Sequence, residues 1–209
     1  MVFPGCVYIS QATEYGTLYT LAELEAIRKV CTKYDMPLFI DGARLGYALT
    51  ATGNDVTLED IARIADVFYI GGTKVGAMFG EAVVFTHGNM PKHFVTIVKQ
   101  HGALLAKGWL LGVQFDTLFT DDLYCRIARH ANDAADRIRE VLVERGYTLT
   151  FDAPTNQIFI TLDNATSERL QRNVRLGFME KADDTHTVMR ICTSWATTDE
   201  QVEQLIALL

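Results

Sequence analysis

Short apolar runs alternate with amphipathic segments through the first hundred residues, and this alternation constrains the fold more than any other feature. Helical spacing of apolar residues follows Thr20, which begins a capping box with Glu23, and follows Thr57. The apolar runs lie at residues 6–10, 37–41, 67–70 and 82–85. Strands that alternate with helices at this spacing predict βαβ units, and therefore an α/β fold with a mostly parallel sheet.

The pattern changes near residue 100. A glycine-containing segment at residues 102–112 precedes a long amphipathic helix predicted from Asp122 to Arg145, and Gly146 is suited to end it. Further strands are predicted at residues 147–151, 157–162 and 187–192, and further helices at residues 164–173 and from Thr198 onward. We therefore predict two parts. Residues 1–110 form part of a large α/β domain, and residues 111–209 form a linking helix and a small α+β domain.

Composition excludes several classes of partner and site. A net charge of −7 argues against a nucleic-acid or anionic-membrane partner, because both need clustered Lys and Arg. No apolar stretch approaches ~18 residues, and the N-terminus lacks the pattern of a signal peptide, so we predict a cytoplasmic protein. The four cysteines are scattered without a C-x-x-C pair, so we predict neither a metal site nor disulfides; they are Cys6, Cys31, Cys125 and Cys192.

An acid and a lysine follow two of the predicted strands. Asp41 ends one strand and Lys74 comes just after the next, with one helix between them. Because carboxyl ends of neighbouring parallel strands meet at one rim, we expect the two side chains to lie near each other. Pyridoxal phosphate needs such a pair: a lysine that forms the Schiff base and a carboxylate for the pyridine nitrogen. The alternatives are a helix-capping aspartate and a solvated loop lysine. A P-loop is excluded because Gly71 lies only three residues before Lys74.

Four segments carry a more specific resemblance. Asp-Gly-Ala-Arg at residues 41–44 and Tyr-Ile-Gly-Gly-Thr-Lys at residues 69–74 resemble motifs of the L-threonine aldolase family of the low-specificity type. Residues 10–17 and 190–196 are also similar to a bacterial branch of that family. The resemblance extends over essentially the whole chain. It implies a fold of type I among pyridoxal-phosphate enzymes, related to the β-eliminating lyases, with residues 1–110 in the cofactor-binding domain.

The resemblance also implies roles for individual residues. Lys74 would bind the cofactor covalently, Asp41 would pair with the pyridinium nitrogen, and Arg44 would contact the cofactor near its phenolic oxygen. Thr73 would reach the phosphate. Arg190 would bind the substrate carboxylate, where a planar guanidinium can hold two oxygens, and Lys99 would assist it. None of the five histidines lies in a motif, so no general base is assigned.

The implied reaction is cleavage of a β-hydroxy-α-amino acid such as threonine to glycine and an aldehyde. The alternatives are a truncated, inactive relative, and a β-eliminating lyase or aminotransferase of the same fold. Relatives carry about 120 further residues upstream, a difference larger than loop variation, so the chain is interpreted as N-terminally truncated. No glycine-rich loop precedes Asp41, which predicts weak cofactor binding. Uncovered apolar surface predicts a homo-oligomer, a dimer or tetramer.

Overall fold

A computed structural model of the chain describes residues 1–209. The chain divides into two compact units. The first comprises Met1–Gln11, Tyr19–Leu45 and Asp55–Tyr124, and the second comprises Ala12–Leu18, Gly46–Asn54 and Cys125–Leu209. Each unit combines several segments of the chain, whereas the sequence analysis predicts two domains that meet at residue 110. That domain boundary stays a prediction. No helix combines the length and the apolar composition needed to cross a membrane.

The first unit contains a four-stranded sheet in the order β1-β2-β3-β4. Its strands are β1 (Val7–Ser10), β2 (Leu38–Asp41), β3 (Val67–Gly71) and β4 (Glu81–Phe85). The pairs β1-β2 and β2-β3 are parallel, whereas β4 runs antiparallel to β3. The α/β class and the mostly parallel sheet are therefore confirmed.

Helices connect the parallel strands as the sequence predicts. The helices up to residue 119 are α1 (Leu21–Lys33), α2 (Leu45–Thr50), α3 (Leu58–Ile64), α4 (Phe94–Gln100) and α5 (Trp109–Phe119). The predicted capping box at Thr20 is present, since its side chain accepts from the Glu23 backbone N–H and Glu23 bonds back to the Thr20 backbone N–H. Thr57 caps α3 in the same way with Asp60.

The two faces of this sheet differ in burial. Leu38, Ile40, Phe68 and Ile70 point to one face and are buried. The other face, here called the open face, carries half-buried and exposed side chains; its members are Tyr8, Phe39, Asp41, Tyr69 and Val83. Because side chains alternate along a strand, residues two apart share a face.

The second unit contains a four-stranded antiparallel sheet in the order β5-β6-β8-β7. Its strands are β5 (Thr148–Leu149), β6 (Gln157–Asp163), β7 (Gly177–Lys181) and β8 (His186–Cys192), and its helices are α6 (Leu123–Glu144), α7 (Asn164–Gln171) and α8 (Asp199–Leu208). A core of buried side chains joins the helices to the sheet, including Ile138 and Leu142 of α6 and Ile158 and Ile160 of β6. Gly146, in the left-handed conformation, follows α6, as predicted.

Five elements are absent from the sequence-based prediction: α2, α4, α5, β7 and a short 3-10 helix at Thr120–Asp122. The sequence analysis predicts no helix in the glycine-containing segment at residues 102–112, yet α5 begins at Trp109 and includes Gly112. A Cβ at Gly112 would meet no atom within 4 Å, so the packing does not require glycine there. Gly112 lowers the intrinsic helix propensity of the segment, but the chain does not turn at it. β7 pairs only with β8 and has a bulge, and such short edge strands have weak sequence patterns.

Candidate functional site

A turn closed by glycines positions the acid at the end of β2. A Cβ on Gly42 would lie 1.9 Å from the carbonyl oxygen of Tyr69, and a Cβ on Gly71 would lie 2.4 Å from that of Ala43. The Gly71 backbone N–H also donates to the Gly42 carbonyl at 2.9 Å. Only glycine fits where the turn after β2 presses against the end of β3. This contact explains the glycines that follow Asp41 and precede Lys74.

The Asp41 carboxylate is held by donors from three segments. The Ala43 backbone N–H donates to Oδ1 at 2.9 Å. The Tyr8 hydroxyl, on β1, donates to Oδ2. The Tyr69 hydroxyl, on β3, donates to the same carboxylate. Asp41 is therefore not a helix cap but an acceptor between two tyrosines on flanking strands.

These contacts set the ionisation of Asp41. Partial burial by itself would raise the pKa of this carboxyl, because it removes water from the charged form. The hydrogen bonds from Tyr69, Tyr8 and Ala43 and the positive charge of Lys74 act in the opposite direction and outweigh burial. The net pKa of Asp41 is lowered, so the group is an anion at neutral pH.

The two tyrosines respond to the same anion. The hydrogen bond to Asp41 is the largest of the causes that raise the pKa of Tyr8, to about 12. Burial is the largest cause that raises the pKa of Tyr69, followed by its hydrogen bond to Asp41. Both phenols therefore remain protonated donors throughout the physiological range.

Lys74 lies in the turn after β3, at the same rim as Asp41. Its side chain is exposed, and its charge is near enough to lower the pKa of Asp41. The preceding residues are held by Glu81 at the start of β4. The Gly72 backbone N–H donates to Oε2 of Glu81 at 2.5 Å, and the Thr73 hydroxyl donates to Oε1 at 3.1 Å. The structure thus brings together the acid and the lysine that the sequence paired.

Two further predicted residues belong to the same unit. Arg44 is half-buried in the turn that follows β2, three residues after Asp41. Lys99 is exposed in the last turn of α4. The roles of Arg44, Lys99 and Thr73 toward cofactor or substrate stay predictions.

Arg190, the residue predicted to bind a carboxylate, lies on β8 in the second unit. Its Nη1 donates to Oε1 of Gln157 at 3.1 Å and lies 3.8 Å from a carboxylate oxygen of Glu14. Gln157 is fully buried, and its amide donates to the Glu14 carbonyl at 3.3 Å. Arg190 is about one quarter exposed. Its guanidinium is therefore held in place on one side and remains accessible to solvent.

Sequence reasoning missed Tyr8, Tyr69, Glu81 and Gln157. Tyr8 was detectable only as an aromatic residue on a strand, and Tyr69 stood in the lysine motif without an assigned role, since the contacts of both with Asp41 depend on strand register. Glu81 begins β4, whose antiparallel direction returns it to the lysine turn. Gln157 carried one signal, a polar side chain at the start of an otherwise apolar run. The structure contains no group of three or more His, Cys, Asp or Glu side chains arranged to hold a metal ion.

Residues 3–165 match the beta-eliminating lyase family. The low-specificity L-threonine aldolase of Pseudomonas aeruginosa is 32% identical over 203 residues, which cover 97% of this chain and 58% of that protein. The enzyme of the same name from a Pseudomonas species is 31% identical, over 98% of this chain and 58% of its own length. The chain thus spans somewhat more than half the length of these curated relatives.

Solved structures agree with this result. The threonine aldolase of Leishmania major superposes with a TM-score of 0.96 at 42% identity, covering 100% of this chain and 61% of that one. An aspartate aminotransferase of Thermus thermophilus, a double mutant, superposes with a TM-score of 0.70 at 16% identity, which shows the shared fold alone. The predicted fold type I is confirmed. The family match covers most of the chain, the relatives named threonine aldolase agree with it, and the acid and the lysine lie at one rim of the sheet. The chain therefore belongs to the beta-eliminating lyase family.

Proposed function

We propose that this chain carries the lysine and acid of a pyridoxal-phosphate-dependent aldehyde-lyase of the threonine aldolase type. The substrates are β-hydroxy-α-amino acids such as threonine, which are cleaved to glycine and an aldehyde. One observation carries the proposal: β2, which ends at Asp41, pairs in parallel with β3, whose following turn holds Lys74, so the acid and the amine lie at one rim of the sheet. The relatives named threonine aldolase supply the reaction type.

The residues at this rim fit the cofactor chemically. Asp41 is an oriented anion, and Lys74 carries an amine at the same rim. Pyridoxal phosphate needs both, because its protonated ring nitrogen pairs with a carboxylate and its aldehyde with an amine. When bound, pyridoxal phosphate supplies a conjugated cationic ring that withdraws electrons from the bond being cleaved. Lys74 would provide the primary amine that holds the cofactor, Asp41 would keep the ring nitrogen protonated, and Arg44 would bind near the phenolic oxygen. Thr73 would contact the phosphate by exchanging its bond to Glu81.

We propose that Arg190 binds the substrate carboxylate, with Lys99 as a second positive charge. Support comes from the accessible guanidinium that Gln157 and Glu14 hold in place. A guanidinium of fixed orientation loses little entropy when it forms two parallel bonds to a carboxylate. The proton of the β-hydroxyl needs a base, and no residue is proposed for that role.

Three further properties belong to the proposal. The 209 residues contain no glycine-rich loop that opens a helix before Asp41, so cofactor binding by this chain is weak. The chain forms a homo-oligomer, since α4 and α5 expose large apolar side chains that include Val95, Ile97, Trp109 and Val113. The protein is cytoplasmic, in keeping with four cysteines that form no disulfide.

The experiment that tests the function is a cofactor titration followed by product analysis. The chain is titrated with pyridoxal phosphate while the absorbance of the lysine-bound cofactor is recorded, and L-threonine is then added. We expect Lys74→Ala to abolish the absorbance change and to reduce release of glycine and acetaldehyde at least ~1000-fold, because the covalent amine is lost. Lys29→Ala, at an exposed position of α1, is the matched control.

The products separate this proposal from its alternatives. A β-eliminating activity would release ammonia and a 2-keto acid from threonine, and an aminotransferase would require an amino-group acceptor. An inactive relative would bind no cofactor at all. Binding that survives Lys74→Ala unchanged would contradict the assignment of the lysine.

A further inference from the structure

We infer that Tyr8 and Tyr69 are positioning residues, which hold the Asp41 carboxylate in the orientation that a protonated ring nitrogen requires. This inference rests on the proposed function and deepens it. It concerns how the acid is prepared before the cofactor binds. Tyr8 lies outside the four segments that carry the resemblance, and Tyr69 begins the lysine motif without a role of its own in the sequence analysis.

Tyr8 approaches the acid from β1. Val7 to Ser10 pair in register with Leu38 to Asp41, so Tyr8 stands opposite Phe39 and two residues short of the position opposite Asp41. Its ring stacks on Phe39 with centroids 5.3 Å apart, and its hydroxyl donates to Oδ2 of Asp41. Although 57% of Tyr8 is exposed, the side chain is thus held at both its ring and its hydroxyl.

Tyr69 approaches the acid from the opposite side. It lies on β3, and its ring centroid is 6.2 Å from that of Phe39, so Phe39 contacts both tyrosines. Its hydroxyl donates to Asp41, and its side chain is only half-buried. A carboxylate at a strand end can rotate about its terminal bond, but donors from both flanking strands and from Ala43 restrict that rotation.

The charges around the acid make phenols suitable for this task. The ionisable groups that face Asp41 are the two tyrosines and Lys74, and Glu81 faces Tyr69 from β4. Because the neighbouring anion disfavours a phenolate, both hydroxyls stay donors throughout the physiological pH range, in which the acid is ionised. Two neutral donors orient the carboxylate without neutralising it, and its charge stays available to a cationic ring.

The test compares Tyr8→Phe and Tyr69→Phe with Tyr34→Phe, using the full 209-residue chain. Tyr34 is 60% exposed at the end of α1 and serves as the matched control. Each variant is titrated with pyridoxal phosphate and with its 1-deaza analogue, in which carbon replaces the ring nitrogen. The Asp41 carboxyl is followed by carbon NMR during a pH titration without ligand, and circular dichroism verifies folding.

We expect each of the two variants to raise the pKa of Asp41 and to weaken pyridoxal phosphate binding roughly three- to tenfold. Affinity for the 1-deaza analogue should stay within roughly twofold, because that ring cannot pair with Asp41. Tyr34→Phe should change neither quantity. Equal losses for both ligands would overturn the inference, since the tyrosines would then only maintain the shape of the open face.

Failure of the inference differs from failure of the proposed function. If the unaltered chain binds neither ligand, the function is wrong, and the inference is overturned with it even if the pKa of Asp41 moves. If the unaltered chain binds pyridoxal phosphate through Lys74 while both variants bind it equally well, only the inference is overturned.

Discussion

The two sheets of this protein use their faces in opposite ways. The antiparallel sheet of the second unit buries one face against α6, α7 and α8, and Phe159 on its other face is also completely buried. The parallel sheet of the first unit buries Leu38 and Ile40 on one side, but on its open face Tyr8 and Val83 are at least half exposed. The sheet of the second unit mainly forms a hydrophobic core, whereas the sheet of the first unit carries the polar side chains of the candidate site on its open face.

The difference shows where each kind of functional residue is placed. Asp41 and Lys74 lie at strand ends of the open face, where side chains and turns can be exchanged without disturbing a core. Arg190 instead lies within a strand, and it needs the buried amide of Gln157 to hold its charged end. Asp41 at the rim is held by its own turn and by tyrosines of both flanking strands, whereas Arg190 inside the sheet is held by side chains that include Gln157 and Glu14.

Matched truncations in the two sheets should show the largest difference. Ile160→Ala empties a fully buried position and should lower the free energy of unfolding by about 2–5 kcal/mol. Val83→Ala on the open face removes a half-exposed side chain and should cost at most about 1 kcal/mol. Urea denaturation followed by circular dichroism measures both. Equal losses would mean that the open face is covered in solution, for example by a second copy of the chain.

Arg190→Lys should affect substrate binding more than turnover. Lysine keeps the positive charge but cannot form two parallel bonds to a carboxylate, so we expect KM for threonine to rise about 10–100-fold with a smaller change in kcat. Steady-state kinetics with added cofactor provides the measurement. Arg137→Lys is the control, because Arg137 pairs with the exposed acids Asp199 and Glu203. A normal KM in Arg190→Lys would remove this residue from the substrate site.

A smaller, pH-dependent effect is expected at Asp66, which precedes β3. Burial raises its pKa, but the Leu38 backbone N–H at 2.7 Å and Arg28 at 2.6 Å outweigh burial and lower it. A carboxyl whose folded pKa is lowered contributes stability above its ordinary pKa and loses that stability as the pH falls through the folded value.

Asp66→Asn should therefore reduce stability near neutral pH by about 1 kcal/mol and flatten its decrease in acid. Urea midpoints between pH 7 and the acid range measure the effect, with Asp133→Asn at an exposed position of α6 as the control. If the urea midpoints of Asp66→Asn equal those of the unaltered protein at every pH, the ion pair with Arg28 contributes nothing to the free energy of unfolding.

Much of the first unit was predictable because its signals are local. Thr20 and Thr57 begin helices through side-chain caps, which depend on residues three positions away. The pairing of Asp41 with Lys74 followed from the rule that parallel strands end at one rim. Helix α5 was missed because Gly112 interrupts it and its apolar residues do not gather on one face, so no helical periodicity was distinguishable.

The sequence by itself determined the α/β class, the acid and lysine of the candidate site and the resemblance to threonine aldolases, since strand-helix alternation and short motifs are local properties. Only the tertiary structure decided which side chains surround them. Register placed Tyr8 and Tyr69 on either side of Asp41, the antiparallel return of β4 brought Glu81 to Thr73, and β6 set Gln157 beside Arg190. Such contacts join residues far apart in the chain, and they arise only when strands pair and bury their apolar faces.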